Sequence, residues 1–362
     1  MDYSPRVLLS GGGTGGHLFP GIAVALEMRR RYPAAWIAFA GTGRGLEVET
    51  VSGQGFEHRL IRSAGLKGKL LGAFALGLAT LPFSAWDAWS LITRVSPDLV
   101  IGLGGYSAGA VVLVSALRQI PTMILEQNAR PGVTNRLLAP IISAAAVSHD
   151  LSLPQFWGKG FIAGNPVRAE FFKSAGPRTA LSDTIRLLVL GGSQGAHAIN
   201  VAMMSAAPTL VSSRVRVVVT HQTGEQDRER VLAGYSDAGL SARVEPFLQE
   251  MADRMREADI VISRAGATTL AELAAVGRPA LLVPLPGSAD AHQLMNAEVM
   301  VRAGAAEMLP ESSLTGERLA AAVLALATDD ERRLRMADAA RMQSKPDAVP
   351  IIVDRAEQLM RL

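Results

Sequence analysis

Three stretches of this chain carry residue types and spacings that can do chemistry. "VLLSGGGTGGHLFPGIAVAL" joins an apolar run to a helix-like pattern through a glycine-rich turn that ends at His17. "LLVLGGSQGAHAINVAMM" repeats the arrangement and ends at His197. Glycine permits positive φ and close backbone approach, and N–H groups at a helix start attract anions. The third stretch is "SRAGATTLAELAAVGRPALLVPLPGSADAHQLMNA". Here residues 263–266 close a strand, and Ala267, Thr268 and Thr269 open a helix whose N–H groups can hold a diphosphate. Glu272 lies one turn further on, where a carboxylate can bridge two ribose hydroxyls. Asp290, His292, Gln293 and Asn296 form a polar cluster at the next helix start.

The same residues exclude other chemistries. The first turn formally contains G-x-G-x-x-G, but a dinucleotide site also needs an acid at the end of the second strand. That place holds Gly41, so NAD and FAD are not expected, and no G-x-x-x-x-G-K-[ST] phosphate loop occurs. The chain has no cysteine, which removes disulfides and thiolate catalysis. A net charge of +3 over 362 residues does not suit a nucleic-acid binder.

Positioning these groups requires two domains, the number suggested by the length. Hydrophobic residues make up 49% and aromatics only 5%, so Ala, Leu and Val must fill the cores. Strands are expected at 7–10, 36–40, 58–61, 99–102, 122–125 and 144–147, then at 185–190, 216–220, 242–246, 260–263 and 280–283. Helical patterns follow several of them, as at 21–31 and 108–118. Near-continuous apolar strands separated by helices indicate parallel sheets covered on both faces. The rhythm breaks at "AGNPVRAEFFKSAGPRTALSD", which places the domain boundary near Gly164. The expected fold class is therefore α/β, with two Rossmann-like, doubly wound parallel-sheet domains facing across a cleft. Residues 1–163 form the first domain and 164–346 the second, with a C-terminal helix at 347–362 packing back on the first. Ligands of such sheets bind at the carboxyl ends of the strands.

Nine motifs, in order, extend the reading: "GGTGGHLFPG" (12–21), "SAGLKGK" (63–69), "GLGGYSAG" (102–109), "EQN" (126–128), "GNPVR" (164–168), "GGSQGA" (191–196), "HQTG" (221–224), "RAGATTLAE" (264–272) and "DAHQLMNA" (290–297). On these the chain resembles, over nearly its whole length, the bacterial N-acetylglucosaminyltransferases that convert lipid I to lipid II in peptidoglycan synthesis. The resemblance implies a GT-B fold and inverting transfer from UDP-N-acetylglucosamine to the 4-hydroxyl of a polyprenyl-linked N-acetylmuramic acid. It implies a donor site at Thr14, Gly15, Gly16, Asn128, Arg168 and Ser193. Leu248 would lie beside the uracil, with Ala267, Thr268, Thr269, Leu270, Ala271, Glu272 and Gln293 completing the site. The chain departs from the family's usual pattern at Leu125 and Ala110, both on the acceptor side.

For that reaction a base must take the proton of the attacking hydroxyl, and histidine has the appropriate pKa. His17 is the expected base and Glu126 the second candidate, while His197, His58 and His149 are expected to cap or pack. The chain has no Asp-x-Asp pair to hold a metal–diphosphate, so no cofactor and no metal are expected. Helix N-termini and Arg168 would stabilise the departing diphosphate instead.

The N-terminal residues do not read as a secretion signal, and the uncharged run 70–86 is too short and Pro-interrupted to span a bilayer. Phe74, Leu78, Leu81, Phe83 and Trp86 of that run, preceded by Arg59, Arg62, Lys67 and Lys69, suit peripheral attachment to the cytoplasmic membrane surface. Three alternatives remain at this stage: a related glycolipid synthase acting on diacylglycerol, a nucleotide-sugar-binding module, or an epimerase of the same fold.

Overall fold

In the computed structural model strands and helices alternate over most of the chain, which closes with three successive helices. The structure describes residues 4–12, 15–43, 45–62, 71–173, 184–192, 195–288 and 291–361, leaving aside the side chains at 46 and 71–81. Contacts divide it into two compact units, one comprising Met1–Arg168 with Lys345–Leu362 and the other Ala169–Ser344. The first unit thus runs past Gly164, where the sequence suggested a boundary.

The strands of the first unit are β1 (Arg6–Gly11), β2 (Trp36–Gly41), β3 (Glu57–Leu60), β4 (Leu99–Gly104), β5 (Thr122–Glu126), β6 (Ala144–Val147) and β7 (Gly160–Ile162). Its helices are α1 (Gly15–Arg31), α2 (Gly45–Gly53), α3 (Leu71–Val95), α4 (Tyr106–Leu117) and α5 (Val133–Leu138). The strands form one parallel sheet in the order β3-β2-β1-β4-β5-β6-β7. The chain winds outward from β1 through β2 to β3, then returns to β4 on the other side of β1.

The physical cause of this sheet is visible along β1. Successive side chains of a strand point to opposite faces. Val7 and Leu9 join one core with Ile22, Met28 and Ile101, and Leu8 joins the other with Ile92, Val100 and Val111. Helices cover both faces, so the apolar run needs no polar alternation.

The second unit repeats the plan. Its strands are β8 (Thr184–Leu190), β9 (Arg216–Gln222), β10 (Ala242–Glu245), β11 (Ile260–Ser263), β12 (Ala280–Leu282) and β13 (Ala306–Met308), in the order β10-β9-β8-β11-β12-β13. All neighbours are parallel. Its helices are α6 (His197–Ser212), α7 (Arg228–Ala238), α8 (Met251–Glu257), α9 (Ala267–Val276), α10 (His292–Arg302), α11 (Gly316–Ala327) and α12 (Asp330–Met342). Ile185, Leu187 and Val189 of β8 pack with Ile199, Met203 and Val323 in its core.

The last helix, α13 (Ala348–Met360), returns to the first unit. Ile352, Val353 and Ala356 enter the same core as Ile22 and Met28, and Arg31 reaches Asp354 at 2.6 Å and Glu357 at 3.0 Å. The fold class is as the sequence indicated. The short outer strands β7 and β13 went unanticipated. Helix α1 also begins earlier than expected, at Gly15 with Pro20 inside it.

Candidate active site

Each sheet has one place where its winding reverses, between β1 and β4 in the first unit and between β8 and β11 in the second. There the loops after neighbouring strands diverge to opposite faces and leave a crevice, the usual ligand site of such sheets. The first glycine turn follows β1, and the second follows β8. The turn opening α9 follows β11. The sequence motifs therefore fall at the two reversal points.

At the first point, His17 lies in the opening turn of α1 with its ring against Gly104. A Cβ at Gly104, where φ is +103°, would come within 2.9 Å of His17 Nδ1, so only glycine leaves room for the imidazole. Nδ1 also lies 3.2 Å from Gln127 Oε1. Gln127 is buried, and its Nε2 donates to the Leu103 carbonyl at 3.3 Å. That bond turns the acceptor oxygen of the amide toward His17. Nδ1 must therefore carry the proton, which places the lone pair of the neutral ring on Nε2. Sequence reasoning missed this role of Gln127, although "EQN" puts an amide beside the acid.

Glu126 is held on both of its carboxylate oxygens. Its side chain is buried, and Oε1 accepts from the Asn128 backbone N–H (3.0 Å) and side-chain Nδ2 (3.1 Å). Oε2 accepts from the Gly132 N–H (3.0 Å) and Asn135 Nδ2 (2.7 Å). Four donors occupy both oxygens, and the carboxylate acts as the scaffold of the loop after β5. That loop carries Gln127 and Asn128. Arg168 lays its guanidinium 4.7 Å from the ring centre of Phe19 on α1, and Gly15 leaves room for the same ring. The structure thus brings Gly15, Gly16, His17 and Arg168 to one end of α1. Thr14 lies outside the described residues.

At the second point, α9 starts behind Gly266, which offers no capping side chain. Thr268 and Glu272 are one turn apart on the same buried face. The turn before α9 is held from three sides. Arg264 donates to the Val283 carbonyl at 3.2 Å and pairs with Glu311 at 2.5 Å, while Asn296 on α10 donates to the Ala265 carbonyl at 3.3 Å. Gln293 accepts from the Leu285 N–H at 3.0 Å and so fixes the loop after β12. Leu248 is buried, and its N–H donates to Gln222 Oε1 at 3.0 Å. Ser193 and Asp290 lie outside the described residues. Among the described residues no group of three or more His, Asp or Glu side chains is arranged to hold a metal.

The "HQTG" stretch is structural. Asn200 Nδ2 donates to the Thr223 carbonyl (3.0 Å) and to Asp227 (2.8 Å), so its Oδ1 must accept from His221 Nε2 at 3.0 Å. His221 Nδ1 then accepts from the Tyr235 hydroxyl at 2.7 Å. Burial pulls His221 down to about 3 from 6.5 and pushes the Tyr235 phenol up. His197 pairs with Asp227 at 2.8 Å at the start of α6. The unfolded chain takes up the His221 proton first, so the stability from its neutral form is complete above about pH 6.5 and drains away as pH falls toward 3. Urea unfolding between pH 7 and 4 should lose several kcal/mol, and His221→Gln should flatten part of that slope. An unchanged slope would place the responsible proton elsewhere.

Comparison with known proteins agrees with this geometry. Residues 7–147 match the glycosyltransferase family 28 N-terminal domain, and residues 186–350 match the glycosyltransferase family 28 C-terminal domain. The chain is 44% identical over 357 residues to an Anaeromyxobacter sp. (strain Fw109-5) protein named UDP-N-acetylglucosamine--N-acetylmuramyl-(pentapeptide) pyrophosphoryl-undecaprenol N-acetylglucosamine transferase, covering 98% of this chain and 94% of that one. The crystal structure of Acinetobacter baumannii MurG superposes with a TM-score of 0.79 at 28% identity, covering 98% of this chain and all (100%) of that chain. A UDP-GlcNAc 2-epimerase from Neisseria meningitidis shares the fold alone, with a TM-score of 0.67 at 14% identity and coverage of 98% and 100%. The chain belongs to glycosyltransferase family 28 and, within it, to the UDP-N-acetylglucosamine--N-acetylmuramyl-(pentapeptide) pyrophosphoryl-undecaprenol N-acetylglucosamine transferases.

Proposed function

We propose that this protein transfers N-acetylglucosamine, with inversion, from UDP-N-acetylglucosamine to the 4-hydroxyl of the N-acetylmuramic acid of lipid I, giving lipid II and UDP. The single observation that carries the mechanism is the contact of His17 Nδ1 with Gln127 Oε1 at 3.2 Å. The His17 Nδ1–H is spent on Gln127, which leaves Nε2 as the basic atom.

In the reaction, Nε2 takes the proton of the 4-hydroxyl as that oxygen attacks the anomeric carbon. The bond from that carbon to the diphosphate oxygen breaks, and UDP leaves with the electron pair. The resulting imidazolium keeps its Nδ1–H bond to Gln127. The second unit takes the nucleotide. The N-terminus of α9 faces the diphosphate, Glu272 takes the ribose hydroxyls, Leu248 lies beside the uracil and Gln293 contacts the sugar. Thr14, Gly15, Gly16, Asn128, Arg168 and Ser193 complete the donor site, and Arg168 with the α9 dipole offsets the charge on departing UDP. The first unit takes the acceptor. UDP release from UDP-N-acetylglucosamine, measured with and without a lipid I analogue, tests this reading. Release should require the acceptor, whereas conversion of the donor alone to an isomer would mark an epimerase.

A lipid-linked acceptor supports a peripheral place for the protein at the cytoplasmic face of the membrane. Among the described residues no helix is long and apolar enough to cross a bilayer. On α3, Phe83, Trp86 and Trp89 are 56%, 71% and 52% exposed, with Arg62 over Phe83 and Arg118 over Trp89. Beside them a groove of about 590 Å³ is lined by Arg6, Arg59, Arg62 and Arg94 with Trp36, Trp86 and Asp87, and Asp87 pairs with Arg62 at 2.6 Å. Exposed indoles next to cations suit an interface with anionic headgroups. Lys67 and Lys69 lie outside the described residues, just before α3. The double substitution Lys67→Glu with Lys69→Glu should reduce sedimentation with anionic vesicles and leave UDP-N-acetylglucosamine binding intact. Equal vesicle binding by variant and parent would exclude these lysines from the docking surface.

A further inference from the structure

Phe19, on the opening turns of α1, takes no part in the reaction steps above. Its ring is held on two sides. On one it packs against the apolar core that contains Val7, Leu9 and Ile22. On another it abuts the first residue of the helix, since a Cβ on Gly15 would come within 2.9 Å of the ring carbon Cε2. Residues at this spacing share a helix face, so the ring covers the amino end of α1. The Arg168 guanidinium lies over this ring, 4.7 Å from its centre. Asn165, Pro166 and Val167 are buried, which fixes the backbone from which the Arg168 side chain starts.

This is a costly place for a cation. The amino end of a helix carries partial positive charge and disfavours a guanidinium beside it. The negative face of an aromatic ring offsets that penalty, and Arg is more weakly hydrated than Lys and rests on such a face more readily. A long side chain in solution spreads over many rotamers and must be ordered when a ligand binds. Over a ring that is itself pinned to the core, the guanidinium is ordered beforehand.

We propose that Phe19 is a positioning residue for Arg168: its ring face holds the guanidinium at the amino end of α1, where it meets the diphosphate of the nucleotide sugar as charge grows on departing UDP. This inference rests on the reading of Arg168 as a diphosphate contact. Ring fluorination tests it, because each fluorine draws electron density from the ring face with little change of shape. With mono-, di- and trifluorophenylalanine in place of Phe19, kcat/KM for UDP-N-acetylglucosamine and affinity for UDP should fall stepwise. The whole series should span about two- to thirtyfold, the range of cation–π pairs. The melting temperature should stay near the parent value.

In the Arg168→Met background the same series should be flat, an outcome that a packing role for the ring would not produce. Phe19→Leu removes the ring and keeps an apolar side chain. In that variant the Arg168 side-chain NMR signals should move away from the positions the ring imposes. Equal kcat/KM and UDP affinity across the series would overturn the proposal. So would the same slope with and without Arg168, or unmoved Arg168 signals in Phe19→Leu. A stepwise loss of UDP affinity in a protein that never turns over the donor would support the positioning role and count against the transferase reading alone.

Discussion

His17→Ala should lower turnover by roughly 10²–10⁴ while UDP affinity stays nearly unchanged. The size follows from the task, since without a base the 4-hydroxyl must attack while still protonated. Selectivity follows from placement: His17 sits on α1 against Gly104 and Gln127, whereas the nucleotide contacts proposed for α9, Leu248 and Gln293 belong to the other unit. The ring is only partly buried and lies outside the apolar cores, so the variant should fold. The measurement is kcat with a lipid I analogue across the pH range, paired with UDP titration calorimetry. A fall of less than about tenfold at every pH would move the base elsewhere, with Glu126 the first residue to try next. Glu126 would then have to release one of its four donors before accepting a proton.

Glu272→Ala should weaken UDP-N-acetylglucosamine binding by about 1.5–3 kcal/mol, the worth of hydrogen bonds to a charged group. That corresponds to roughly a tenfold to 150-fold rise in Kd. Glu272 lies in the second turn of α9, just behind the helix start assigned to the diphosphate, and this is where a ribose attached to that diphosphate would reach. Because the side chain is buried at 8% exposure, its loss also leaves a small void, so melting temperature should be recorded beside affinity. Weaker donor binding with a well-folded protein supports the ribose contact. Unchanged affinity in calorimetry would remove Glu272 from the donor site.

The sequence alone determined what is local in this protein. Apolar runs such as β4, whose residues are all buried, can lie only between two covered faces, and their alternation with helices implies parallel sheets. The glycine turns and the uncapped start of α9 were legible for the same reason, because a helix begins or a chain turns through residues adjacent in sequence. What only the tertiary structure decided depends on side chains far apart in the chain. Gln127 meets His17 across 110 positions and chooses which ring nitrogen is basic. Asn135 and Gly132 meet the Glu126 carboxylate and tie it into the loop after β5, a contact its sequence context does not show. Glu47 finds Gly12 and Gly41 only once β1 and β2 are paired in register. A residue type limits the chemistry available, but strand order and side-chain direction decide which partner it meets, and pairing over such distances leaves no local pattern to read.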